Sequence, residues 1–124
     1  MNVIYLGIFI NDKNLGGTLE NKVDIPHVTL EFRPKVIPRE ILGKEVEIQV
    51  TNYGNNNKNE GYKVVLPEEY ARYFKGEIPH VTLSYSNASK PTNTKNIKFD
   101  EEKRLTLMGK IGIFTDNGVK YTLN

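Results

Sequence analysis

One stretch of this chain is written twice. Ile25 to Phe32 reads IPHVTLEF, and Ile78 to Tyr85 reads IPHVTLSY. The first six letters agree, which ordinary residue frequencies make very unlikely by chance in a chain of 124 residues. The only two histidines in the chain, His27 and His80, occupy the same place in both copies. Each copy is short, rich in β-branched residues and opened by a proline, which is tolerated at the first residue of a strand. The repeat therefore predicts two equivalent strands within an internal duplication. Two copies are too few for a solenoid. They suit one closed domain over residues 1–124, built as two similar lobes about a pseudo-twofold axis.

The remaining pattern is mostly of strand type. Val3 to Ile10 (VIYLGIFI) reads as a buried strand. Asn11 to Asp24 is polar, with room for a short helix near Thr18. A helical turn is expected at Arg39–Leu42. Val46 to Tyr53 alternates apolar and polar residues, and Tyr62 to Leu66 returns as its hairpin partner across the turn-rich stretch Gly54–Gly61. Pro67 to Gly76 carries the clearest helix signals: proline at the start, Glu68 and Glu69 in the first turn, and glycine at the end. Ser86 to Lys98 reads as a polar loop. Leu105–Phe114 and Val119–Leu123 read as a final hairpin across Asp116-Asn117-Gly118. The expected class is α+β, predominantly antiparallel β, with few short helices.

Strict alternation divides the repeated strand into two faces. Val28, Leu30 and Phe32 share the core side with Val81, Leu83 and Tyr85. His27, Thr29 and Glu31, and equally His80, Thr82 and Ser84, share the other. A repeated packing unit would keep only the apolar letters. Here the polar His and Thr are kept as well. Two imidazoles and two hydroxyls converging on one place suit phosphodiester chemistry. One histidine can remove a proton from the nucleophile while the other protonates the leaving oxygen. The threonines can stabilise charge on the phosphoryl oxygens. His27, Thr29, His80 and Thr82 are the candidate catalytic residues.

Composition removes several other classes. There is no cysteine, so thiolate chemistry and disulfides are excluded. Two histidines with threonine neighbours make a poor zinc set, and no metal or other cofactor is expected. A net charge of +2 gives no field of the kind that duplex DNA attracts. No apolar run is long enough to span a membrane, and the first residues lack the pattern of a signal peptide. A cytoplasmic location is expected, in the host cytoplasm if the protein is viral. A nucleotide base would need a stacking surface, and the chain has seven tyrosines and no tryptophan. Tyr5 and Tyr121 are the candidates for stacking, with Ser84 and Lys90 as further substrate contacts. Arg33, Lys35 and Arg39 are other cations near the first motif.

Two H-x-T motifs, His27-Val28-Thr29 and His80-Val81-Thr82, resemble the signature of the 2H phosphoesterase superfamily. The order of elements resembles the phosphodiesterase domain of fungal-type tRNA ligases and small phage relatives. The resemblance implies two antiparallel sheets forming pseudo-symmetric lobes around a central cleft. It implies metal-independent cleavage of a phosphodiester next to a ribose 2′-hydroxyl. Substrates of the superfamily include 2′,3′-cyclic phosphate RNA ends, 2′-5′ linkages and the cyclic oligonucleotide signals of CBASS-type antiviral defence. The alternative expectation is a non-catalytic nucleotide sponge with the same cleft.

Overall fold

The computed structural model describes residues 2–12 and 14–123. Among the described residues eight strands carry the fold: β1 (Val3–Ile10), β2 (Asn21–Lys22), β3 (His27–Phe32), β4 (Glu45–Asn55), β5 (Asn59–Val65), β6 (His80–Tyr85), β7 (Glu101–Thr115) and β8 (Gly118–Lys120). One α-helical turn, α1 (Glu68–Ala71), and two 3₁₀ segments, Arg39–Ile41 and Pro91–Asn96, complete it. All strand pairs are antiparallel. The predominantly antiparallel class with few short helices is what the structure has.

Hydrogen bonding joins the strands into one sheet in the order β2-β6-β5-β4-β7-β1-β3, with β8 paired to β7. The resemblance implied two separate sheets; the long β4–β7 ladder makes them continuous. From β6 to β3 the order is symmetric about that central pair. β4 matches β7, β5 matches β1, and β6 matches β3. The sheet curls, so that Cα atoms of β3 and β6 approach within 8 Å.

The two copies of the repeat are built alike in four respects. The Pro26 carbonyl accepts the Ile10 N–H at 2.9 Å, and the Pro79 carbonyl accepts that of Val64 at 3.0 Å. Gly7 lies opposite Thr29, and Gly61 lies opposite Thr82. Pairing shifts beside each of these glycines, leaving Leu30 and Leu83 as the extra residues of two β-bulges. Finally, the Leu30 carbonyl accepts the Lys75 N–H at 2.8 Å, and the Leu83 carbonyl accepts that of Val23 at 3.1 Å. Each motif strand is thus bonded by the linker that leads into the other copy.

Cross-strand neighbours share a face, so the pairing register carries one face across the whole sheet. Val28, Ile8, Ile111, Val46, Val64 and Val81 lie on the same side and are buried in one core cluster. Full burial of each such side chain contributes about 1.5–3 kcal/mol. This apolar face fixes the phase of every strand. It leaves His27, Thr29, His80 and Thr82 on the opposite side.

The bulges change the face after Leu30 and Leu83. Ser84 is fully buried opposite Glu60, and Glu31 lies opposite Leu6. Phe32 is paired with Tyr5 and is 62% exposed, while Tyr85 is paired with Asn59. Strict alternation had put Ser84 and Glu31 on the histidine face and Phe32 and Tyr85 in the core. An extra residue per copy reverses each assignment.

Several linkers also differ from expectation. The segment near Thr18 has no helix, and Gly16 has a positive φ of 82°. The expected helix over Pro67–Gly76 stops at Ala71, because the N–H groups that follow bond elsewhere. Those of Tyr73 and Phe74 go to carbonyls three residues back, and that of Lys75 goes to β3. The turn after β4 narrows to Asn56–Lys58, where the Asn56 side chain accepts the N–H groups of Lys58 and Asn59 and Asn57 has φ 68°. The expected loop Ser86–Lys98 contains the 3₁₀ segment, and β8 stops at Lys120, before Tyr121.

Gly61 tests this packing. A Cβ there would meet the Val81 carbonyl at 2.6 Å and Thr94 Cγ2 at 2.7 Å, and backbone cannot step aside as a flexible side chain can. Gly61→Ala should lower stability by about 1–3 kcal/mol in denaturant titration. An unchanged midpoint would show that the bulge region is loosely packed.

Candidate active site

Each histidine is held by its own strand entry. His27 Nδ1 lies 2.8 Å from the Ile25 carbonyl, and His80 Nδ1 lies 2.8 Å from the Ile78 carbonyl. A carbonyl only accepts, so both rings carry their proton on Nδ1 when neutral. Nε2 is left as the working nitrogen in both. The prolines that follow Ile25 and Ile78 fix the local backbone, since the residue before proline is restricted to extended conformations.

The surroundings then diverge. His27 sits among aromatic rings. Tyr5 stacks on it at a centroid distance of 4.6 Å, with its hydroxyl 3.3 Å from Nδ1, and Phe9 lies at 5.9 Å. Tyr5 stacks in turn on Phe114 at 5.2 Å. His80 has polar neighbours instead. Lys63 is its cross-strand partner, and Lys95 in the Pro91–Asn96 segment is close enough to disfavour its protonation. The side chains of both lysines are exposed.

Both imidazoles are held below the ordinary histidine value. For His27, burial is the largest cause; the Ile25 carbonyl opposes it, and the charge of His80 adds to it. For His80, burial again leads, the Ile78 carbonyl opposes, and Lys95 adds. The charge coupling means that protonating one ring makes the second proton harder to add.

The four H-x-T side chains lie on one face, on two strands that the curl of the sheet brings together. Thr82 Oγ1 donates to the Pro91 carbonyl at 3.3 Å. Thr29 is half-buried, and among the described residues its hydroxyl has no protein hydrogen bond. Tyr5 contacts His27, so its place in the structure is that of a ring that orients the imidazole. Tyr121 packs edge-on to Phe9 at 6.3 Å and lies under the Lys110 ammonium at 5.0 Å, at the rim of the same aromatic group. Lys90 is exposed at the start of the 3₁₀ segment, where its carbonyl accepts from Asn59. The cation that His80 feels is Lys95. Nothing in the loop's residue pattern prefers Lys95 over Lys90.

Ser84 is a correction. Its hydroxyl is fully buried, donates to Glu60 Oε1 at 2.6 Å and accepts the Leu19 N–H at 3.1 Å. The bulge at Leu83 turns it inward, so it does not line the histidine face. Glu60, 1% exposed, was hidden in a stretch that read as turn. Besides Ser84 it accepts from the Thr18 N–H at 2.7 Å, the Thr18 hydroxyl and the Tyr53 hydroxyl. Burial alone would raise its carboxyl, but the donors from Ser84, Tyr53 and Thr18 outweigh burial and hold it below the ordinary range.

The scan against protein-family models finds no match, and the search of curated proteins finds none. A broad groove elsewhere, lined by Glu45, Glu47, Gln49, Val65, Glu69, Tyr70 and Met108, holds neither histidine, and its carboxylates oppose a phosphate. Among the described residues no three His, Asp or Glu side chains gather as a metal-binding group. No described helix is long and apolar enough to cross a membrane.

Acid should destabilise the fold in two stages. His27 and His80 are depressed, so the unfolded chain binds more protons as pH falls below the ordinary histidine value of 6.5, and stability is lost there. Glu60 is depressed too, so its contribution is present above the ordinary glutamate value and is lost as pH falls through the folded value. Thermal melts across pH should show both stages. The lower stage should shrink in Glu60→Gln, which should itself be less stable by about 1–3 kcal/mol because donors would then face an amide NH₂. A Glu60→Gln profile parallel to wild type would refute this role for the carboxylate.

Proposed function

We propose that the protein is a phosphodiesterase of the 2H type, acting on a nucleotide whose scissile phosphate neighbours a ribose 2′-hydroxyl. The observation that carries this is the pair of Nδ1-anchored histidines, built identically on matching strands of one sheet face, each beside a threonine. In this account the halves β3-β1-β7 and β6-β5-β4 serve as the two lobes, and the substrate phosphate lies between their motif strands.

The reaction uses the free Nε2 atoms. One neutral imidazole takes a proton from water or from the 2′-hydroxyl as it attacks phosphorus. The other, as imidazolium, gives a proton to the departing oxygen. Repulsion between the rings disfavours a second proton on the pair, and the reaction needs one. The Thr29 hydroxyl is free to donate to a phosphoryl oxygen, and Thr82 can do so by rotating away from Pro91. Lys63 and Lys95 supply positive charge at the His80 side. A 3′-5′ linkage in a cyclic oligonucleotide signal presents the neighbouring 2′-hydroxyl, a 2′-5′ linkage presents the 3′-hydroxyl in its place, and a 2′,3′-cyclic phosphate end, with both oxygens esterified, takes water as the nucleophile.

The enzyme should turn over such substrates in EDTA. His27→Ala and His80→Ala should each lower kcat by about 10²–10⁴-fold, the usual worth of a general acid or base. Because both rings are depressed, the bell-shaped pH profile of kcat/KM should peak on the acid side of 6.5 and fall as rising pH removes the imidazolium proton. Mass analysis of products from cyclic di- and trinucleotides, 2′,3′-cyclic nucleotides and 2′-5′ oligomers tests the proposal. Stoichiometric release of intact ligand would mark a sponge, and full activity in either histidine variant would overturn the mechanism.

A further inference from the structure

An exposed phenylalanine alone means little. Phe32 is set apart by where it lies and what touches it. It closes β3, five residues after His27, and the bulge at Leu30 turns it out of the core. Its cross-strand neighbour is Tyr5, the residue whose ring stacks on His27, so Phe32 lies on the same face of the sheet as the imidazole. At 62% exposure it is the most open aromatic ring among the exposed large hydrophobics of the described residues.

The next residue completes the feature. The Arg33 guanidinium lies over the Phe32 ring, 5.3 Å from its centroid. Arg33 has φ 48°, a left-handed conformation that a long side chain rarely takes. Its N–H donates to the Ile4 carbonyl at 2.8 Å, which holds the turn. The fold thus keeps a costly backbone conformation at the residue whose cation covers the ring. With the guanidinium over it the residue is still 62% exposed, and its pairing with Tyr5 puts it on the histidine face.

We propose that Phe32 and Arg33 form a nucleobase-stacking subsite, so that the preferred substrate extends at least one nucleotide beyond the scissile phosphate. This rests on the phosphodiesterase proposal above. A base stacks on the free side of the ring, and the guanidinium on the far side offers positive charge to the neighbouring phosphate. Strand rise sets the span. Phe32 lies about 10 Å from Thr29 and about 16 Å from His27 along β3. That is too far for the base on the ribose at the scissile phosphate, and within reach of the base on the next one. Tyr85 occupies the matching place on β6, but it is half-buried and paired on both sides, by Asn59 and Asn21. The subsite therefore exists on the His27 side, and the substrate has a direction across the pair.

Two probes that resist turnover test this: a 2′-O-methylated diadenylate ending in a 3′-phosphate, and the matching 2′-O-methyl mononucleotide. Calorimetry would give Kd for wild type, Phe32→Ala, Phe32→Trp and His80→Ala. Wild type should bind the dinucleotide about 10-fold or more tighter than the mononucleotide, the worth of one stacked base. Phe32→Ala should lose that gain and keep the mononucleotide affinity, and Phe32→Trp should retain the gain. An exposed site makes loss of folding in these variants an unconvincing excuse, and the mononucleotide Kd controls for it. If Phe32→Ala binds both probes as wild type does, the subsite is overturned while the phosphate site stands, provided His80→Ala weakens both. If wild type binds neither probe, both proposals fail.

Discussion

The antiparallel ladder between β4 and β7 is the interaction on which the rest depends. The chain runs through a similar set of three strands twice, β1-β3-β4 and β5-β6-β7, but the third strand of each set does not stay with its own. β4 pairs with β5, and β7 pairs with β1. Neither half is complete until the other copy has contributed its last strand. The β4–β7 register then ties the phase of one half to that of the other. A slip of one residue there would turn one set of apolar side chains to solvent. It would also put the two H-x-T pairs on opposite faces. The cost of exposing Val46, Ile48, Val50 and their partners is therefore the same cost that keeps His27 and His80 on one side.

Linker exchange reinforces this. The N–H of Lys75 caps the Leu30 carbonyl, and that of Val23 caps the Leu83 carbonyl. These carbonyls belong to the bulged residues, where ladder bonding is interrupted. Each linker satisfies a group that the bulge had freed, on the strand of the other copy. The bulge, the glycine opposite the threonine and the crossing linker thus form one device, used twice. Gly7 and Gly61 each lack room for a Cβ because a valine carbonyl of the motif strand, Val28 or Val81, lies against them.

What could be read from the chain follows from these forces. The His/Thr and Val/Leu division of the motif was legible because burial enforces period two wherever one face is dry. The long strands and the hairpin at Asp116–Gly118 were legible from local chemistry, whereas β2, two residues in a polar stretch, was not. The bulge was not, because it depends on pairing with distant strands. Its only trace was a glycine inside each of the partner strands, which can mark a close backbone approach. Missing it misplaced Ser84 and Phe32 together. The helix after Pro67 was overestimated for a related reason: local propensity favoured it, but the Lys75 N–H found a partner on β3. Glu60 was hidden because a turn-like composition masked a ladder position whose carboxylate is satisfied by residues far along the chain.

The symmetry fails in an informative way. With Gly7 aligned on Gly61, Leu6 corresponds to Glu60, Phe9 to Lys63 and Tyr5 to Asn59. The strand that supports His27 is apolar and aromatic, whereas the one that supports His80 is polar and cationic. A perfectly symmetric pair would give two histidines of equal basicity, and a substrate could bind in two opposite senses. Acid–base chemistry at a phosphodiester needs two groups that differ at the moment of reaction. The duplicated backbone can supply matched geometry for both Nε2 atoms, and only the unlike neighbours can make them unequal. Under the proposed reaction, the rings around His27 and the lysines beside His80 therefore matter for direction, while the repeated motif matters for reach. Selection acting on the two separately would leave the six letters unchanged and let the supporting strands diverge, which is the pattern this chain has.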